Sequence, residues 1–171
     1  MKKITLQKGD ITKLAIPAIV NAANRRLAGG GGVDGAIHLA AGREMILECD
    51  KIRDAQGGCP TGSAVLTKAG NLPCQAVIHA VGPIWSGGKN KEAQLLASAY
   101  RQSLALALEN NLLRIAFPNI STGVYGFPKP LAAEIAIKTV EEFLDQNPTF
   151  EEVIFICFDD ENYTLYQKLL G

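Results

Sequence analysis

Asn24 and Asp34 bracket a run of four glycines in Val20-Asn21-Ala22-Ala23-Asn24-Arg25-Arg26-Leu27-Ala28-Gly29-Gly30-Gly31-Gly32-Val33-Asp34-Gly35-Ala36-Ile37-His38. Four consecutive glycines cost backbone entropy and bury no side chain. A folded domain keeps them where the chain must take φ > 0 or let something approach closely. A ligand lying against this backbone, with one carboxamide and one carboxylate at the ends of the loop, is what the spacing supports. Asp34 is the only carboxylate in the stretch.

Gly30-x-Gly32-x-x-Gly35 also spells the dinucleotide-binding fingerprint, but its surroundings argue against that use. In a Rossmann unit the glycines follow the strand directly, and an acidic ribose-binding residue ends a second strand about 20 residues on. Here Asn24-Arg25-Arg26 intervenes and Asp34 sits where pyrophosphate would be repelled. The later segment Lys51-Ile52-Arg53-Asp54 reads as a helix end. Ser121 and Thr122 form no G-x-S-x-G elbow, so no serine nucleophile is implied. His38, four positions after Asp34 and on the same helical face, reads as structural in preference to an acid–base partner, and His79 at a strand end likewise reads as structural. Cys49, Cys59, Cys74 and Cys157 are scattered, with no C-x-x-C pair and no clustered histidine. They predict neither a zinc site nor a disulfide framework, but reduced, partly buried small hydrophobes. Two histidines without clustered acids predict no catalytic metal.

The elements that must position these residues follow from periodicity. Ile4 and Leu6 suggest an edge strand, and Ala18 to Ala22 is an apolar run suited to burial on both faces. Val33 to Cys49 reads as helix with a break near Gly42. Ala64–Thr67 and Ala76–His79 read as strands joined by the turn Gly70-Asn71-Leu72-Pro73. A long amphipathic helix from Lys91 to Glu109 follows, then a strand at Ile115–Phe117 and a loop from Ser121 to Pro130. A helix over about 131–144, a strand over 153–157 and a last helix over about 161–170 complete the chain. Strands alternating with helices predict a three-layer α/β/α domain on a mixed, largely parallel sheet. Ligands bind such sheets at the carboxyl ends of the strands. Asn21–Asp34, Val81-Gly82-Pro83, Asn119–Gly126 and Phe158-Asp159-Asp160 would gather there.

At 171 residues the chain is expected to be one domain, 1–171. Seventeen basic residues balance seventeen acidic ones, with no basic stripe, so a general nucleic-acid or membrane-surface footprint is not expected. A small anion remains compatible, since backbone N–H groups bind phosphate without net charge. No apolar run reaches membrane-spanning length, and Met1-Lys2-Lys3 leads into a strand pattern in place of a signal segment. A cytoplasmic protein is expected.

These residues reach a family. The chain closely resembles MacroD-type macrodomains, ADP-ribose-binding modules that in this branch also hydrolyse ADP-ribose derivatives. The likeness spans nearly the whole length: Gly9-Asp10-Ile11-Thr12, Val20–Asn24, Gly29–His38, Pro60-Thr61-Gly62, His79–Trp85 and Phe117–Pro128. Leu39, where many members carry a basic residue, and Phe127, where tyrosine is common, depart from the pattern. The first would alter the surface offered to a protein substrate.

By resemblance, Asp10 accepts the adenine N6 amine, Ile11 adds a backbone contact and Phe158 stacks on the base. A turn or helix cap is the alternative for Asp10, and core packing for Phe158. The Ser121-Thr122-Gly123-Val124-Tyr125 backbone would hold the diphosphate, with Tyr125 over the distal ribose opposite Gly30, Gly31, Gly32 and Val33. Asn24 would bind the distal ribose hydroxyls and Asp34 would position or activate water; a helix N-cap is a compatible second role for Asp34. The resemblance implies a metal-independent, cofactor-free hydrolase. It would remove mono-ADP-ribose from acidic side chains and deacetylate O-acetyl-ADP-ribose, most simply as a monomer. Its partners would be ADP-ribose, ADP-ribosylated proteins or O-acetyl-ADP-ribose. A non-enzymatic ADP-ribose reader is the alternative, disfavoured by Asn24, the glycines and Asp34 occurring together; an RNA-associated role has no feature beyond the nucleotide-like ligand.

Overall fold

In a computed structural model that describes residues 3–171, every expected apolar run pairs into one six-stranded sheet. Met1 and Lys2, the start of the expected lead-in, lie outside the described residues. The strands are β1 (Ile4–Lys8), β2 (Ala18–Ala22), β3 (Ala64–Lys68), β4 (Ala76–Ala80), β5 (Arg114–Phe117) and β6 (Glu152–Cys157). The helices are α1 (Gly32–Ala41), α2 (Arg43–Gln56), α3 (Glu92–Glu109), α4 (Lys129–Gln146) and α5 (Asp160–Leu170), with a 3₁₀ turn at Ile11–Lys13. Sheet order is β1-β6-β5-β2-β4-β3, and β3 alone runs antiparallel to its neighbour.

Side chains alternate across a strand, so β2 and β4 feed two cores. Ile19 and Val77 pack with Ile37, Ala41 and Met45 of α1 and α2. Ala18, Val20, Ala76 and Ile78 face the other way, into a cluster with Leu104 of α3, Val140 of α4 and Tyr166 of α5. Strands apolar on both faces are what a largely parallel sheet between two helical layers requires. In the larger core Tyr100, Phe117, Phe155 and Tyr166 form a chain of rings with centroids 4.9, 6.2 and 5.0 Å apart. Each such ring contributes roughly 1.5–3 kcal/mol by leaving water.

Gly42, at φ +82°, breaks α1 from α2 where expected. The second helix runs past the anticipated end at Cys49 to Gln56, and Gly57 closes it in the left-handed region. Among the described residues no helix is long and apolar enough to cross a membrane. Five parallel strands point one way, which brings their carboxyl-end loops to one edge of the sheet.

Candidate active site

That edge opens into a cleft of about 690 Å³. It is lined by the loops after β1 (Gly9-Asp10-Ile11), β2 (Ala23-Asn24 and Gly30–Asp34), β4 (Gly82), β5 (Pro118–Tyr125) and β6 (Phe158-Asp159). Every residue expected to bind or act therefore shares one cavity of ligand-site size.

At the β1–β6 end, Asp10 caps the 3₁₀ turn, accepting from Thr12 N (2.9 Å) and Thr12 Oγ1 (2.7 Å). The Thr12 hydroxyl and amide hold its carboxyl below the usual range. Both bonds fall on Oδ1, leaving Oδ2 for a donor in the cleft. The capping role and the ligand role are therefore compatible. Phe158 is 82 % exposed, which removes plain core packing as the reason for an aromatic at this position.

Along the middle runs the Ser121–Gly126 loop. Ser121 takes φ +68°, unusual for a residue with a side chain. Gly126 N bonds Gly123 O and Phe127 N bonds Ser121 O, whereas among the described residues the N–H groups of Thr122, Gly123, Val124 and Tyr125 have no backbone partner. Such a row of free amides just before α4 suits an anion. Tyr125 is tied down through its carbonyl, which accepts from Trp85 N at 2.8 Å. Glu92 in turn accepts from Ser86 N, Gly88 N and Asn90 N and so fixes the loop carrying Trp85. Gly82 is required here: a Cβ would lie 2.2 Å from Ser121 Oγ.

The glycine loop closes the far end. Helix α1 begins at Gly32 with Gly31 as its N-cap, so Asp34 lies in the first turn and is not the cap that the sequence allowed. Only Gly29 (φ +79°) and Gly32 (φ +58°) of the four need the left-handed region. Nothing lies within 4 Å of a Cβ placed on Gly31, which opens on the cleft, and a Cβ on Gly35 would strike Gly30 O at 2.3 Å. Asp34 is 7 % exposed; its Oδ1 accepts from Asn21 Nδ2 at 2.8 Å and its Oδ2 faces Gly30, 3.6 Å from that residue's Cβ position. His38 Nε2 comes within 3.2 Å of Oδ1 without hydrogen-bond alignment, and its ring packs beneath Gly29. Asn24 ties the loop to itself, donating to Gly29 O (2.8 Å) and accepting from Ala28 N (3.2 Å). It shapes the loop besides lining the cleft.

A family model described as Macro domain matches residues 20–136. The chain belongs to the Macro domain family. It is 58 % identical over 168 residues to the O-acetyl-ADP-ribose deacetylase of Escherichia fergusonii, covering 98 % of this chain and 95 % of that one. A mutant of the Oceanobacillus iheyensis macrodomain solved with ADPR superposes with a TM-score of 0.92 at 44 % identity, covering 96 % of this chain and 90 % of that one. The Trypanosoma brucei macrodomain in complex with ADP-ribose gives 0.91 at 42 %, over 99 % of this chain and 69 % of that one.

Behind Asp34 in this macrodomain the structure corrects the reading of the cysteines. Cys49, expected to lack a histidine partner, lies with His38 and His79 so that one ligand atom of each falls within 4.8 Å of the others. The donor set is ill suited to a metal. Burial pushes the Cys49 thiol up to about 11, and His79 Nε2 is already bonded to Thr67 Oγ1 at 3.0 Å. Burial also lowers His79 to about 4, keeping it neutral. All four cysteines are buried free thiols.

The sequence placed Asn21 and Gly82 in segments at the ligand edge without roles of their own, and singled out Asn162 not at all. Asn21 had a signal, a carboxamide inside an otherwise apolar buried strand. Asn162 is held by Asp159, the N-cap of α5, and lines the cleft with a buried Oδ1. Among the described residues the buried side-chain polar atoms without a partner are Asn21 Oδ1, His38 Nε2, Ser121 Oγ and Asn162 Oδ1. Ser121 and Asn162 line the cleft, and Asn21 and His38 flank Asp34.

Proposed function

We propose that this macrodomain binds ADP-ribose along the cleft and hydrolyses esters of its distal ribose, both O-acetyl-ADP-ribose and mono-ADP-ribose on acidic side chains. The observation that carries the reading is the half-committed carboxylate of Asp34: one oxygen is fixed by Asn21, the other faces the glycine loop. The curated relative named O-acetyl-ADP-ribose deacetylase and the ADP-ribose complex of a solved relative support it.

On this reading Asp10 and Ile11 receive adenine, Phe158 stacks on it, and the free amides of Thr122 to Tyr125 take the diphosphate. Val33 and the glycines wall the distal ribose, with Asn24 at its hydroxyls. Asp34 Oδ2 accepts a hydrogen bond from a water and orients it toward the ester carbonyl. Water adds to that carbon, the bond from carbon to the ribose oxygen breaks, and the proton passes to the ribose oxygen. The products are a carboxylic acid and ADP-ribose. The scheme calls on no metal or cofactor.

Incubation with O-acetyl-ADP-ribose and with an automodified ADP-ribosyl transferase, followed by product analysis, tests the reading. ADP-ribose release from both is expected. Tight ADP-ribose binding with no release from either would make the protein a reader. Calorimetry should also rank ADP-ribose well above AMP and NAD; equal affinity for AMP would remove the distal-ribose assignment.

A further inference from the structure

Behind the Asn21–Asp34 pair the buried hydrogen bonds continue to His79 and Thr67, two residues the reaction scheme does not use. Asn21 and His79 are cross-strand partners in the parallel register of β2 and β4 and share the face covered by α1 and α2. Asn21, Thr67 and His79 are each wholly buried. Thr67 Oγ1 donates to Lys68 O (3.0 Å), so its oxygen is left to accept from His79 Nε2 at 3.0 Å. Nε2 then carries the imidazole proton, and Nδ1 presents a lone pair to Asn21 Nδ2 at 3.1 Å. The second hydrogen of Nδ2 reaches Asp34 Oδ1 at 2.8 Å. Turning the Asn21 amide over would set its oxygen against a carboxylate oxygen at that distance, which is repulsive. Donors and acceptors therefore match along the chain in one arrangement only.

We propose that His79 is a positioning residue for the reaction at Asp34: its neutral imidazole, accepting through Nδ1, fixes the Asn21 carboxamide that orients the carboxylate. The proposal rests on the hydrolase reading. Burying three polar side chains in a sheet costs stability that aliphatic residues at the same positions would not. Their arrangement ends on the one carboxylate of the glycine loop, and partners behind a reactive group serve to hold its geometry. The groups facing His79 are His38 and Asp34 from α1, Cys49 from α2 with Sγ 3.8 Å from Nε2, Thr67 from β3 and Asn21 from β2. Protonating His79 would turn Nδ1 into a donor against the Asn21 amide. Burial and the neighbouring His38 oppose that protonation.

Two substitutions separate positioning from packing. Asparagine carries its amide at the reach of Nδ1 and can still accept from Asn21. Glutamine carries its amide at the reach of Nε2 and meets Thr67 instead. His79→Gln should lower kcat for O-acetyl-ADP-ribose by about tenfold or more, while His79→Asn rescues it to within about threefold, with ADP-ribose affinity unmoved in both. Equal turnover in the two variants, or losses that follow their thermal midpoints, would overturn the proposal. Nitrogen-15 NMR of the wild-type imidazoles supplies the second arm and depends on neither variant folding nor turnover. A proton on His79 Nε2 with bare Nδ1 is expected, and a proton on Nδ1 overturns the chain of bonds. An inactive wild type with the expected tautomer would instead remove the hydrolase reading and, with it, the catalytic meaning of the chain.

Discussion

Phe158 stands 82 % exposed at one end of the cleft and Asp10 keeps a carboxylate oxygen free, whereas at the other end Asp34 is 7 % exposed and one of its oxygens is already bonded. Behind Phe158 there is little to fix its ring; behind Asp34 stand Asn21, His79 and Thr67 in sequence. Recognition tolerates looseness because the ligand brings the missing partner with it. Chemistry does not, since a small displacement of a reacting group costs rate without costing affinity. The two ends should therefore fail differently when altered.

The largest effect is expected where a side chain fills the cleft. Gly31 has an ordinary φ of −93° and open space at its Cβ position, so Gly31→Glu adds bulk and negative charge without backbone strain. ADP-ribose affinity should fall on the order of 10³-fold, the carboxylate repelling a diphosphate in a confined site. Circular dichroism should stay native. Retained binding would mean that the glycines serve folding alone and would erase the contrast between the ends.

Next comes the pH dependence of the rigid end. His79 titrates near 4 in the folded protein against an ordinary 6.5, because burial and the nearby His38 oppose its charge. The unfolded chain therefore takes up a proton first as pH falls. The stability due to neutral His79 is complete above about pH 6.5, is lost progressively down to about pH 4, and amounts to roughly 3 kcal/mol. Urea midpoints measured at about pH 7 and about pH 4.5 should separate more for wild type than for His79→Asn. Equal separations would show that His79 does not carry this term.

At the loose end Asp10→Ala and Phe158→Ala should each weaken ADP-ribose about tenfold, the scale of one charge-assisted hydrogen bond or one stacked ring. Turnover at saturating substrate should hold. A fall in kcat with unchanged affinity would place these residues at the chemistry and break the comparison. The smallest effect is expected from EDTA, which should leave turnover unchanged since the buried thiol and imidazole behind Asp34 are protonated or already paired. Loss restored by added metal would contradict this.

The loose end and the glycine loop were largely legible in sequence. The glycine loop is local, and a run such as Gly29–Gly32 has few physical uses, whereas Asp10 and Phe158 were singled out by resemblance and meet only because β1 pairs with β6. The sheet was legible too, because Ala18–Ala22 and Ala76–Ala80 are apolar apart from Asn21 and His79. Less visible was α2, whose charged last turns lie on an outer face and read as an ending, although the chain stays helical to Gln56. The rigid backing of Asp34 was hidden. Asn21 and His79 are 58 residues apart, and only the parallel register sets them side by side. Cys49 joins them through the packing of α2 against β3, which no spacing announces. The fit of Gly82 under Ser121 likewise depends on two loops meeting.

Asp34 carries the central claim, and single-turnover kinetics with O-acetyl-ADP-ribose beside ADP-ribose calorimetry, on wild type and Asp34→Ala, test it most directly. Asp34→Ala should turn over about 10²-fold or more slowly, the range for losing a base or a water-positioning group, with affinity changed little. Unchanged turnover in Asp34→Ala, or a loss of affinity that matches the loss of rate, would contradict it.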